Sequence, residues 1–237
     1  MSDAALQVEE LDGVLVVHLD DGKANALGAA TIAAVSDAIS RAESDPAIGA
    51  VVLHGRPGKF CAGFDLNVMR SGDAGAVVSL VSDGGALVTR LYGSGVPVVA
   101  ACTGHALAAG ALLLLGCDVR IGADVDCKIG LNEVAIGMVL PQWAITIAQE
   151  RLSKRHLQRA VANAVVYGAA GAVEAGFLDE VVAEADVLGT AVAKAKELAA
   201  LSARAYAGTV AALRGPVLAT MAEQVAGDRA SGVSIVA

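Results

Sequence analysis

Three short apolar segments, "IGAVVLHG" (48–55), "VPVVAACTG" (96–104) and "CDVRIGA" (117–123), constrain this chain more than any other feature. Each is too short for an ordinary helix and is flanked by glycine, proline or charge. Their apolar residues run on without alternation, which predicts strands covered on both faces, as in a parallel sheet. Between them lie stretches with helical spacing, at about 28–42 and 73–94. Strands that alternate with helices predict an α/β fold. Ahead of these, "LQVEEL" and "VLVVHLD" alternate apolar and polar residues around Asp12-Gly13. That is the pattern of a hairpin with a tight turn.

Strand signals stop near residue 186. Residues 191–201 and 205–226 are rich in Ala and Leu and read as two helices separated by Ser202-Ala203-Arg204. The chain therefore divides into an α/β core, 1–185, and a C-terminal helical region, 186–237, suited to a lid or an assembly surface.

Composition narrows the function. Apolar residues make up 55% of the 237, while aromatics are only 3%, so the core is dense and aliphatic. A formal charge of −8, with no Lys/Arg cluster standing against it, argues against a nucleic-acid surface. The most apolar run, 106–117, is too short to cross a bilayer. The acidic start "MSDAALQVEE" lacks a basic–apolar leader pattern, so the expected location is cytoplasmic. Cys61, Cys102, Cys117 and Cys127 form no C-x-x-C pair and read as buried thiols. The four histidines show no metal-ligand spacing, so no metal is expected. "GRPGKF" lacks the Ser/Thr and spacing of a phosphate loop, and no G-x-S-x-G elbow is present.

What remains is a matched pair of loops. "GKFCAGFDL" (58–66) and "GHALAAGALLLL" (104–115) each pass from a buried strand through small residues into a helix start. First-turn amides of a helix lack intrahelical partners and sit in a field that favours negative charge. Two such ends converging would hold an oxyanion; the alternative is that small residues simply allow tight strand–helix packing.

The blocks "KANAL" (23–27), "FCAGFDL" (60–66), "GHALAAGALLLLGCD" (104–118) and "GLNEVAIGMVLPQW" (130–143), in this order, resemble the crotonase, or enoyl-CoA hydratase/isomerase, superfamily. The resemblance spans about residues 6–183. It implies a spiral of β-β-α units followed by a helical oligomerisation region, usually a homotrimer or a pair of trimers. It also implies an acyl-CoA thioester substrate in fatty-acid metabolism, with coenzyme A part of the substrate and no separate cofactor. Two backbone amides hold the thioester oxygen in that family, and by motif position they belong here to Phe64 and Ala109. Ala62 and Gly110 fall beside them. Lys23 and Ala24 match the segment that contacts the CoA nucleotide, although Lys23 also reads as a solvated turn lysine. Asp65 is explained as an N-cap, and His105 as a packed histidine. Phe60, Leu66, Val68, Leu91, Leu112 and Trp143 are candidates for the pocket wall. Ala108 and Ala109 replace glycines common in the second loop, which is tolerable only with ordinary negative φ.

The carboxylates select the chemistry. A hydratase of this family uses two glutamates around one water. The first position, two residues after Gly110, is Leu112; the second is present as Glu133. Asp118, expected on a strand, and Asp83 are the nearest other acids in sequence. One glutamate suffices to move a double bond, and the "GLNE" block with Leu112 looks like the single-glutamate 3,2-enoyl-CoA isomerases. An enoyl-CoA hydratase and a silent acyl-CoA-binding trimer are the alternatives. Glu133 also reads as a helix-start glutamate behind an Asn132 N-cap.

Overall fold

A computed structural model of the chain describes residues 6–231. It contains strands β1 (Gln7–Leu11), β2 (Val14–Leu19), β3 (Ala50–Gly55), β4 (Gly58–Cys61), β5 (Val98–Cys102), β6 (Gly104–Leu107), β7 (Val119–Ala123), β8 (Ile129–Gly130) and β9 (Glu180–Val182). The helices are α1 (Ala29–Ser44), α2 (Leu66–Met69), α3 (Ala74–Tyr92), α4 (Ala109–Gly116), α5 (Gln142–Arg151), α6 (Lys154–Val161), α7 (Ala169–Ala175), α8 (Val187–Ala199) and α9 (Ala203–Ser231). The fold is the mixed α/β type expected.

Six strands form the main sheet in the order β1-β2-β3-β5-β7-β9. Only the β1–β2 hairpin is antiparallel. Asp12 and Gly13, with φ of 50° and 79°, make its turn, as the D-G pair predicted. The unbroken apolar runs have the reason inferred from them, because both faces are covered. Val14, Val16, Val52, Val99 and Ile121 face α8, packing on Val187, Ala191 and Ala195. Leu15, Val17, Leu53 and Val98 belong to the larger core that includes α1, α3 and α4.

A second, smaller sheet was not visible in the sequence. Short strands β4, β6 and β8 run parallel in that order, inserted just after β3, after β5 and ahead of α5. The two small-residue loops therefore do not lead directly from the long strands to helices. Each first adds a short strand, and the helix start follows from there.

Both C-terminal helices begin earlier than their periodicity suggested. α8 starts at Val187, and the break before α9 falls at 200–202. α9 packs along α3 and α5. The Arg214 guanidinium anchors it, bonding Asp118 Oδ1 at 2.8 Å and the Tyr92 carbonyl at 2.7 Å. Asp118 lies immediately before β7 rather than on it, and also accepts from the Val98 amide.

Candidate active site

The small sheet gathers the candidate groups. Phe64, Ala109 and Glu133 each follow within three residues of the C-terminal end of β4, β6 or β8. Because these strands are adjacent and parallel, all three residues emerge at one edge, the usual place for a ligand in α/β sheets.

The first loop is held by the "KANAL" segment. Leu27 N–H donates to the Gly63 carbonyl (2.8 Å), and Asp65 N–H donates to the Leu27 carbonyl (3.2 Å). In extended backbone, alternate residues present their amides to opposite edges. The Phe64 N–H thus faces away from this pairing, and among the described residues it has no hydrogen-bond partner. The Phe64 ring is turned inward; a β-carbon built on Gly84 of α3 would meet it at 2.5 Å. The backbone is presented while the side chain anchors it.

Ala109 opens α4, so its N–H has no intrahelical partner and none elsewhere among the described residues. α4 is apolar on every face and entirely buried, which fixes the direction in which its first turn points. Gly110 is required by close approach: an added β-carbon would stand 2.0 Å from the Cys61 carbonyl oxygen at the end of β4. The two donor loops are consequently in backbone contact.

Ala108 overturns an expectation. Its φ is +50° and its ψ −120°, not the ordinary negative φ that its methyl calls for. Such backbone, found at the first central position of a type II′ turn, normally belongs to glycine. Holding alanine there costs on the order of 1–3 kcal/mol.

Glu133 is 6% exposed, and among the described residues its Oε2 has no partner. Burial pushes its pKa up to about 7, well above the ordinary glutamate value. It stands at the N-cap of a single 3₁₀ turn, Val134–Ile136, without capping it through its side chain. Asn132 does not cap that turn either, and its Oδ1 is likewise unpartnered. The helix-capping explanation of Glu133 therefore fails. Leu112, one turn into α4, is buried and presents an alkyl group where a second carboxylate would stand. The other acids named from sequence are engaged elsewhere, Asp83 with Arg229 and Asp118 with Arg214.

An open groove of about 700 Å³ leads along the first loop, lined by Lys23, Ala24, Ala62, Phe64, Asp65 and Leu66. Lys23 is exposed, and its carbonyl accepts from Arg56 Nη1 at 2.9 Å. Asp65 caps α2 by accepting from the Asn67 amide at 2.8 Å, as predicted. Leu66 is exposed. Phe60, Leu91 and Trp143 are completely buried, the indole edge lying where a β-carbon on Gly85 would be. A larger groove, about 980 Å³, runs between α3 and α9 and contains none of these groups. Among the described residues no group of three potential metal ligands occurs, and burial pushes the Cys61 thiol up to about 12, far from nucleophilic.

Sequence reasoning missed Asn25, which holds the groove's inner wall. Buried at φ +53°, its amide donates to the Leu19, Lys59 and Phe60 carbonyls and ties "KANAL" to β4. Asn tolerates left-handed backbone better than other non-glycine residues, a signal available in the sequence. Its neighbour Asp21 accepts from the Ala26, Asn25 and Lys23 amides. Burial pushes the Asp21 pKa up, but these bonds prevail and lower it overall.

A sequence profile described as enoyl-CoA hydratase/isomerase matches residues 9–235. The mitochondrial enoyl-CoA delta isomerase 1 is 30% identical in Homo sapiens over 94% of this chain and 32% identical in Mus musculus over 77%. The matched stretch spans 75% of the human protein and 64% of the mouse one. Among solved structures, an enoyl-CoA isomerase of Mycobacterium tuberculosis superposes with a TM-score of 0.89 at 36% identity, covering 96% of this chain and 98% of its own. An enoyl-CoA hydratase of Mycobacterium ulcerans gives 0.90 at 36%, covering 96% and 99%.

Proposed function

The chain belongs to the enoyl-CoA hydratase/isomerase, or crotonase, family, and from that premise we propose that it moves the double bond of a 3-enoyl-CoA to the 2-position. Glu133 is the single acid/base, and the Phe64 and Ala109 amides form the oxyanion hole. The Glu133 carboxylate takes a proton from C2, and the C–H electron pair spreads through the diene to the thioester oxygen. The two amides hold that charge, each such donor being worth about 10²–10³ in rate. The protonated carboxyl then returns the proton at C4, leaving the bond between C2 and C3. No atom is gained or lost, so no water and no second acid is needed.

The observation that carries this reading is Glu133 itself: a buried carboxyl with one oxygen unpartnered, its pKa near the working range, and an alkyl group at 112. A base matched to the pH both accepts and returns a proton efficiently. Lys23, Ala24, Ala62, Asp65 and Leu66 line the path of the CoA arm, with Gly110, Leu112 and Trp143 supporting the reacting end. The exposed faces of α9 would carry a homotrimer.

The test follows absorbance of the conjugated thioester. A 3-enoyl-CoA substrate reports isomerisation as signal appears, and a 2-enoyl-CoA reports hydration as it disappears. Fast gain with slow loss is expected, with kcat/KM rising as pH passes about 7. Glu133→Gln should lower isomerisation by about 10²–10⁴ while CoA-ester binding survives. Fast loss would make the protein a hydratase with another acid. Neither change, with binding intact, would leave a silent binder.

A further inference from the structure

We propose that the Ala108 methyl is a spacer between the two donor loops, which makes Ala108 a positioning residue for the oxyanion hole; this rests on the reading of Phe64 and Ala109 above. The residue is tied into three places at once. Its N–H donates to the Gly130 carbonyl of β8 (3.0 Å), and its carbonyl accepts from Leu112 N–H in the first turn of α4 (3.1 Å). Its methyl faces the first loop, where a β-carbon built on Gly63 would stand 3.4 Å away. Gly63, at φ +106°, is the residue directly before the Phe64 donor, and Ala109 is directly after Ala108.

Glycine would take the Ala108 backbone conformation without strain, so the main chain alone gives no reason for a methyl there. The methyl's one evident neighbour across the site is the glycine of the opposite loop. Strained backbone persists where the surroundings over-determine it, and the Gly130 and Leu112 bonds supply that constraint. With the hydrogen bonds fixing Ala108 from one side and the methyl meeting Gly63 on the other, the separation of the two donors is set by van der Waals contact. Remove the methyl, and the Gly63–Phe64 segment has room to shift while every hydrogen bond is kept.

The variant Ala108→Gly tests this, since glycine fits the backbone and folding is not at risk. With a 3-enoyl-CoA, kcat should fall about tenfold because a donor is displaced rather than deleted. KM, the midpoint of the pH profile and the melting temperature should not move adversely. An unchanged kcat, or a lower melting temperature with kcat per folded molecule intact, would overturn the proposal. The backbone amide order parameters of Phe64 and Ala109 give a reading that needs no substrate. They should drop from about 0.85 in the parent protein toward the flexible range, below about 0.6, in the variant. If the parent protein converts no enoyl-CoA, the catalytic reading fails, yet the order parameters still decide whether the methyl holds the loops; unchanged values sink the spacer.

Discussion

The two sheets are built on opposite principles. In the main sheet, β2, β3, β5 and β7 are five or six residues long, largely apolar and buried on both sides. Their order comes from side-chain packing, which tolerates modest backbone adjustment. In the small sheet, β4, β6 and β8 have four, four and two residues, including glycines, Lys59 and His105. That sheet buries little and instead aims backbone amides and one carboxyl. Stability resides in the first and chemistry in the second, so a change in either should affect mainly its own property.

The most severe test of that division is Gly110→Ala. The new methyl would overlap the Cys61 carbonyl at 2.0 Å, and the obstacle is backbone, which no rotamer change relieves. The loops must part, and isomerisation should drop by about 10³ or more, as for loss of a donor. Unfolding by denaturant should show a protein that still folds through its main sheet. A variant that unfolds outright would mean that the small sheet is also a structural keystone, and the division would break.

Leu53→Ala makes the converse change. Leu53 is wholly buried in β3, and its truncation should cost about 2–5 kcal/mol through lost burial and a cavity. Turnover per folded molecule should stay within about threefold of the parent. A large loss of kcat would show that packing in the main sheet sets the donor geometry directly, which would narrow the contrast between the sheets.

The same contrast explains what was legible in the sequence. Val51-Val52-Leu53 announces a strand because hydrophobic burial leaves a compositional trace, and Asp12-Gly13 announces a turn because positive φ does. The site residues were legible as motifs, Phe64, Ala109 and Glu133 each falling at a strand end. The small sheet that brings them together was not. β8 is only Ile129–Gly130, and β4 and β6 depend on close backbone approach, which no local pattern records. Ala108 was misjudged because alanine carries no sign of left-handed φ; its conformation is imposed by Gly130 and Leu112, both distant from it in type or in sequence. Asn132 was read as a cap, yet the chain makes only a single 3₁₀ turn there and leaves Glu133 uncommitted.

The smallest expected effect is also the sharpest, because it has opposite signs in the two regions. Burial raises the Glu133 pKa from an ordinary 4.5 to about 7, so between those values the folded protein holds more protons than the unfolded chain. Where the folded state binds the extra proton, stability falls as pH rises. The loss therefore begins near pH 4.5, is complete above about 7, and amounts to roughly 3 kcal/mol at about 1.4 kcal/mol per pKa unit. Glutamine at 133 cannot ionise and escapes that loss. Denaturant titrations should find Glu133→Gln more stable than the parent at pH 8 by up to about 3 kcal/mol, with the difference vanishing at pH 4. Any cost of burying the amide is the same at both pH values and drops out of the comparison. Leu53→Ala, in contrast, should be destabilised equally at both. A pH-independent difference for Glu133→Gln would mean that the carboxylate is solvated in the folded state, and the base would then lack the desolvation on which its raised pKa depends.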